Sequence, residues 1–133
     1  MSKGEHFVGY PEIIAKNGGY SLTNIACTGE TTGSFIDRKV RDNGCQRGVN
    51  PGEKPMHDNL KVQYEVNQLD FAVEFLKKNP DTQLITLTIS GNDILLIEND
   101  CNAGSLPTVC KASKAPGLII DIATNLTKII NTI

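Results

Sequence analysis

The segment QLITLTISGNDILLIEND, residues 83–100, constrains the fold more than any other part of the chain. Residues 84–89 form an apolar, β-branched run of the kind that fills a buried strand. The run stops at Ser90-Gly91-Asn92-Asp93, and a second apolar stretch, residues 94–97, follows at once. In an open α/β sheet, ligands bind in the crevice outside the carboxyl ends of the strands. The segment therefore predicts a strand that ends at a polar site, with Asn92 at its edge.

Other elements can be placed around it. Residues 10–16 read as a short helix, with Pro11 in its first turn and Gly18-Gly19 as its stop. Residues 20–26 alternate and then run apolar into Cys27-Thr28-Gly29-Glu30-Thr31-Thr32-Gly33, a second strand ending in a turn small enough for a backbone to approach a ligand. Residues 37–64 are polar and rich in Gly, Pro, Asn and Asp, a surface excursion too long for an idle connection. Val66, Leu69, Val73 and Leu76, with Ala72 beside them, share one helical face, and Asn79-Pro80-Asp81 ends that helix. Residues 100–116 read as a loop. Leu118, Ile122, Leu126, Ile129 and Ile133 then line one face of a last helix. Helix, strand, helix, strand, helix is the order of an α/β layer structure with a parallel sheet. Two strands are too few for such a sheet to stand alone, so residues 1–133 are expected to form a single, incomplete domain.

Composition narrows the function. With 133 residues, 39% of them hydrophobic, the chain has room for one core. A formal net charge of −2 and no cluster of Lys and Arg with interleaved aromatics give no footprint for nucleic acid. No apolar run reaches the roughly 20 residues that span a bilayer, and MSKGEHFVGYPE lacks the basic start and apolar stretch of a signal peptide. Cys27, Cys45, Cys101 and Cys110 contain no Cys-x-x-Cys pair, so no zinc site is indicated. Cys101 and Cys110 bracket NAGSLPTV, where a local disulfide would suit an exported protein; free thiols are the alternative.

Gly29 and Asn92 both follow expected strands and would lie at one edge of a parallel sheet. A backbone N–H at a small-residue turn and a side-chain amide are the donors that build an oxyanion hole for acyl transfer. On residue types alone the other reading is the favoured one: Gly29 and Gly91 shape turns, while Asn92, among the best N-cap residues, caps a helix beginning near Ile94.

FVGYPEIIA, LTNIACTGETTGSFID, DNGCQ and QLDFAVEFLKKNPDTQLITLTISGNDILL, in that order, resemble consecutive segments of the SGNH-hydrolase family, the GDSL-type esterases and lipases. The resemblance runs from Phe7 to about Leu96 and more loosely to the end. It implies a partial three-layer, flavodoxin-like α/β fold. It also implies that Gly29, in Thr28-Gly29-Glu30-Thr31, and Asn92, in Gly91-Asn92-Asp93, are the oxyanion donors, with Asp93 holding the turn. The family hydrolyses carboxylic esters through an acyl-serine intermediate, without cofactor or metal. Its substrate would be a small-molecule or lipid ester, and the full-length parent would be secreted.

The departures are as informative. The family's Gly-Asp-Ser block has no counterpart in MSKGEH, where Ser2 is no match. Its Asp-x-x-His block would fall beyond Ile133. Two of four blocks are present, so the expected object is an esterase or lipase fragment, truncated at both ends and inactive as it stands, since oxyanion donors without a nucleophile start no covalent turnover. The alternatives are a degenerate, non-catalytic member that binds an ester or glycan-like ligand or pairs with another chain, and a thiol hydrolase built on Cys27 with His57. His6 and His57 are the only histidines, and His57 reads as a solvated loop residue. Glu30 and Asp37 read as helix-start and surface charges, and the sequon Asn125-Leu126-Thr127 as chance on a helix. In a flavodoxin-like strand order the first strand lies between the second and third. Losing it would leave unpaired edges, so self-association through them is expected.

Overall fold

Five helices carry the described residues in the order α1 (Tyr10–Gly18), α2 (Thr32–Ile36), α3 (Gln68–Lys78), α4 (Gly91–Asn102) and α5 (Pro107–Thr132). The structure, a computed structural model, describes residues 9–46, 54, 60 and 62–133. Helix α1 lies where its end signals put it. The Gly9 N–H donates to Glu12 Oε2 at 3.0 Å, and Gly19 closes the helix in the left-handed conformation at φ 70°.

Helix α2 arises inside what reads as a plain turn. Ser34 N–H donates to Thr31 Oγ1 at 3.0 Å, and Thr31 N–H donates to Ser34 Oγ at 3.0 Å. This reciprocal pair satisfies two donors of a helix start and makes one short helix of the Thr-Thr-Gly-Ser sequence. Its Phe35 is buried together with Leu69 of α3 and Ile129 of α5, and Ile36, Val73 and Ile89 pack around them. That small cluster holds three helices at one point. Val66, expected on the face of α3, lies before the helix and is 48% exposed.

The expectation of a loop over residues 100–116 is corrected. Helix α4 continues to Asn102, and α5 begins at Pro107, where proline needs no N–H partner. Pro116 stands inside α5 without ending it. The Cys101–Cys110 disulfide, Cα–Cα 5.5 Å, fastens the two helices across their short connection, as its spacing leads one to expect. Lys111 Nζ adds an ion pair to Glu98 at 3.0 Å.

The parallel-sheet, flavodoxin-like α/β fold is overturned. Among the described residues there is no strand: residues 20–26 and 82–89 are neither helical nor paired. A strand exists only through its ladder, and β-branched composition supplies the tendency without the partner. Residues 83–89 make no backbone–backbone hydrogen bond with any described residue. Leu84 and Ile85, expected in a sheet core, are each 51% exposed.

Candidate functional site

The turn at residues 27–30 is fixed by its neighbours. Gly29 takes φ +90°, and a Cβ there would meet Asn43 O at 2.3 Å and Cys45 N at 2.9 Å. Only glycine satisfies both the conformation and the space. Asn43 N–H donates to Gly29 O at 2.8 Å, and the Cys27–Cys45 disulfide, Cα–Cα 5.6 Å, clamps the same two segments. The Gly29 N–H donates to no described residue.

Asn92 is the second residue of α4. Its Nδ2 donates to Glu30 O at 3.0 Å, and its Oδ1 accepts from Asn43 Nδ2 at 3.2 Å. A primary amide carries two N–H bonds, so one is left after the bond to Glu30. The reading of Asn92 as a helix cap is excluded: the cap position is Ser90, whose side chain makes no capping bond and whose φ is +91°. Asp93 holds a turn, but the turn of another element. Its Oδ2 accepts from Thr32 N at 2.9 Å and its Oδ1 from Thr32 Oγ1 at 2.6 Å. Asn125 Nδ2 of α5 also donates to Thr32 Oγ1, at 3.1 Å. The start of α4 is thereby tied to α2 and α5, and Asn125 of the sequon serves as a structural donor.

Gly29 and Asn92 both line one cavity of about 830 Å³, with Leu22, Ile25, Leu84 and Ile89 among its apolar walls. The size falls in the range of ligand pockets.

Sequence reasoning missed two residues of this site. Asn43 bridges both donors from the long polar excursion, and only its place two residues before Cys45 marked it. Glu30, read as a helix-start charge, is 5% exposed. Burial pushes its carboxyl up to about 7, with the charge of Asp42 adding to the shift and hydrogen bonds from Ser34 and Gln46 opposing it. Ser34 Oγ donates to Glu30 Oε1. Glu30 Oε2 lies 3.0 Å from Cys45 Sγ. A disulfide sulfur has no hydrogen to donate, so this contact is favourable when Glu30 itself carries the proton. Asp37, the other carboxylate considered, lies at the exposed end of α2 and accepts from Lys39 N at 2.9 Å.

The Cys27 sulfur is bonded to Cys45 and offers no thiolate, while His57 and His6 lie outside the described residues. Cys27, Glu30 and Cys45 place ligand-type atoms within 4.8 Å of one another. With the two sulfurs joined, however, the cluster has no thiolate for a cation. Among the described residues no helix is long and apolar enough to cross a membrane. Compared with known protein families, curated proteins and solved structures, the chain matches none.

Proposed function

We propose that this chain carries the oxyanion-binding half of a carboxylic-ester hydrolase of the SGNH type, with the Gly29 N–H and the remaining Asn92 Nδ2 N–H as its donors. The observation that carries the reading is that both groups line one cavity, with Asn43 holding the Gly29 carbonyl through its backbone N–H and the Asn92 amide oxygen through its Nδ2. In ester hydrolysis a nucleophile adds to the carbonyl carbon and the carbonyl oxygen gains negative charge. Two preorganised donors stabilise that charge without reorganisation cost. The serine nucleophile and its histidine base belong to polypeptide outside these 133 residues. The substrate is a small-molecule or lipid ester that lies along the apolar cavity walls. The two disulfides support an oxidising, extracellular setting for the parent.

The test is hydrolysis of p-nitrophenyl butyrate by the protein extended with its flanking coding sequence. The extended protein should turn the ester over. Asn92→Ala in it should lower kcat by roughly 100 to 1000-fold with a much smaller change in KM. An extended protein whose turnover is unaffected by Asn92→Ala would overturn the reading.

A further inference from the structure

Ester chemistry makes no use of the buried carboxyl of Glu30, which stands against the Cys27–Cys45 bond. The two sulfurs of that bond differ in their surroundings. Cys27 lines the cavity of about 830 Å³, whereas Cys45 is 0% exposed and has two polar groups on its sulfur. Glu30 Oε2 lies 3.0 Å from Cys45 Sγ, and Gln46 Nε2 donates to the same sulfur at 3.3 Å. Neighbours aim both groups. Ser34 Oγ donates to Glu30 Oε1, which leaves Oε2 to carry the carboxyl proton toward the sulfur. Arg38 Nε donates to Gln46 Oε1 at 3.0 Å, which turns the amide nitrogen toward Cys45. Asp42 accepts from Gly44 N at 2.8 Å and from Gln46 N at 3.1 Å, fixing the turn that carries Cys45. Among the described residues no carboxyl meets both sulfurs of Cys101–Cys110 in this way.

A disulfide sulfur is a weak acceptor, so a buried proton donor and an amide N–H on one sulfur gain little while the bond is intact. They gain much once that sulfur carries charge. In thiol–disulfide exchange the attacked sulfur must be reachable, and the rate rises as the leaving sulfur is better able to take the electron pair. Cys27 meets the first need and Cys45 the second.

We propose that Cys27–Cys45 is a thiol-exchange site: a small thiol enters from the cavity and attacks Cys27 Sγ, and Cys45 Sγ leaves with Glu30 as its proton donor and Gln46 as its hydrogen-bond donor. The thiolate forms a bond to Cys27 Sγ as the Cys27–Cys45 bond breaks. The electron pair of that bond goes to Cys45 Sγ, which takes the Glu30 proton and leaves a carboxylate. With a dithiol, the second thiol gives its proton to water and displaces Cys27, so the dithiol is oxidised and the cysteine pair reduced. Breaking the bond removes the clamp between the Gly29 turn and residues 43–45, so the redox state of this pair sets how firmly that edge of the cavity is held.

The probe is 2-mercaptoethanol, added to the full chain, quenched with N-ethylmaleimide and mapped by peptide mass spectrometry. The mixed disulfide should form on Cys27, with the maleimide on Cys45; the reverse placement would overturn the proposal. The rate of this step, divided by the thiolate concentration, gives a second test. Glu30 titrates at about 7; facing it are also Asp42, whose charge favours the protonated form, Arg38, whose charge opposes it, and Tyr64, whose hydroxyl burial holds above its ordinary pKa. The normalised rate should therefore fall about tenfold between about pH 6 and pH 8 as the acid is lost. A merely structural Glu30 predicts the opposite sign, because its ionisation weakens the fold and would expose the bond, so a normalised rate that rises with pH would overturn the proposal. Glu30→Gln, which keeps a hydrogen-bond donor and has no proton to give, should react at least about tenfold more slowly at pH 6 and show no pH slope. Cys101–Cys110, in the same samples, should show no response to Glu30→Gln; equal slowing of both bonds would also contradict the assignment. These measurements read sulfur chemistry alone, so failure here leaves the ester reading untouched.

Discussion

Two residues sit in conformations that the surrounding structure must hold. Gly29 is at φ +90° with Asn43 O pressed against it, and Ser90 is at φ +91° with nothing capping from its side chain. The first tolerates no side chain: Gly29→Ala should cost more than about 3 kcal/mol from clash and strain together, measured by urea unfolding. The second is the reverse case. A serine in the left-handed region stores about 1–3 kcal/mol that glycine releases, partly offset by glycine's greater freedom when unfolded. Ser90→Gly should therefore stabilise the chain by about 1 kcal/mol, seen as a higher Tm. Glu30 gives a pH prediction. Its carboxyl is pushed up to about 7 from an ordinary 4.5, chiefly by burial, so the folded state keeps a proton that the unfolded chain releases. The stability tied to that proton is full below about 4.5 and is lost as pH rises to about 7, a fall on the order of 3 kcal/mol. Denaturant midpoints across that range should decline for the native chain and stay nearly flat for Glu30→Gln, which keeps a hydrogen to donate beside Cys45 Sγ. Of these three residues only Gly29 stood out in the sequence, because a small-residue turn is a local signal. The burial of Glu30 is set by Asn43 to Cys45 folding over it, a long-range contact that no spacing announces.

At the scale of elements, the helices with local end signals were legible and the segments that depend on a partner were not. Glycine stops, the proline after α3 and the one-sided face of Leu118, Ile122, Leu126 and Ile129 mark their helices because a helix satisfies its own backbone. Helix α2 escaped because its capping pair, Thr31 with Ser34, uses a serine where a glutamate or glutamine usually signals the motif. The start of α5 escaped because residues 100–116 read as a loop, whereas the helix begins at Pro107, next to the Cys101–Cys110 link. The two segments expected as strands have strand composition and no ladder, since pairing is decided by chain elsewhere. The disulfides also differ in reach. In the chain-entropy account, replacing both cysteines of Cys101–Cys110 by serine should cost about 2.5 kcal/mol, and the pair Cys27–Cys45, with its longer loop, about 3 kcal/mol. The second replacement should also release Asn43 and Cys45 from Gly29, visible as faster amide exchange over residues 28–30.

For the molecule as a whole, the two proposed oxyanion donors, Gly29 and Asn92, share one cavity with apolar walls. Alone, the chain should not hydrolyse p-nitrophenyl butyrate above a heat-killed control, because the donors stabilise a charge that no nucleophile–base pair among the described residues creates. Hydrolysis by the unextended chain that vanished with Cys27→Ser would instead restore a thiol nucleophile, in conflict with the Cys27–Cys45 bond. The most direct test needs no turnover at all. Butylphosphonate carries the tetrahedral, negatively charged oxygens of an ester-hydrolysis intermediate on a short alkyl tail. Titrated into the labelled full chain and followed by proton–nitrogen correlation spectra, it should shift the Gly29 backbone amide and the Asn92 side-chain amide together along one saturable curve, with Asn92→Ala weakening the response of Gly29 at least about tenfold. Shifts confined to other residues, or a Gly29 response that Asn92→Ala leaves intact, would contradict the assignment of these two groups as partners in one oxyanion site.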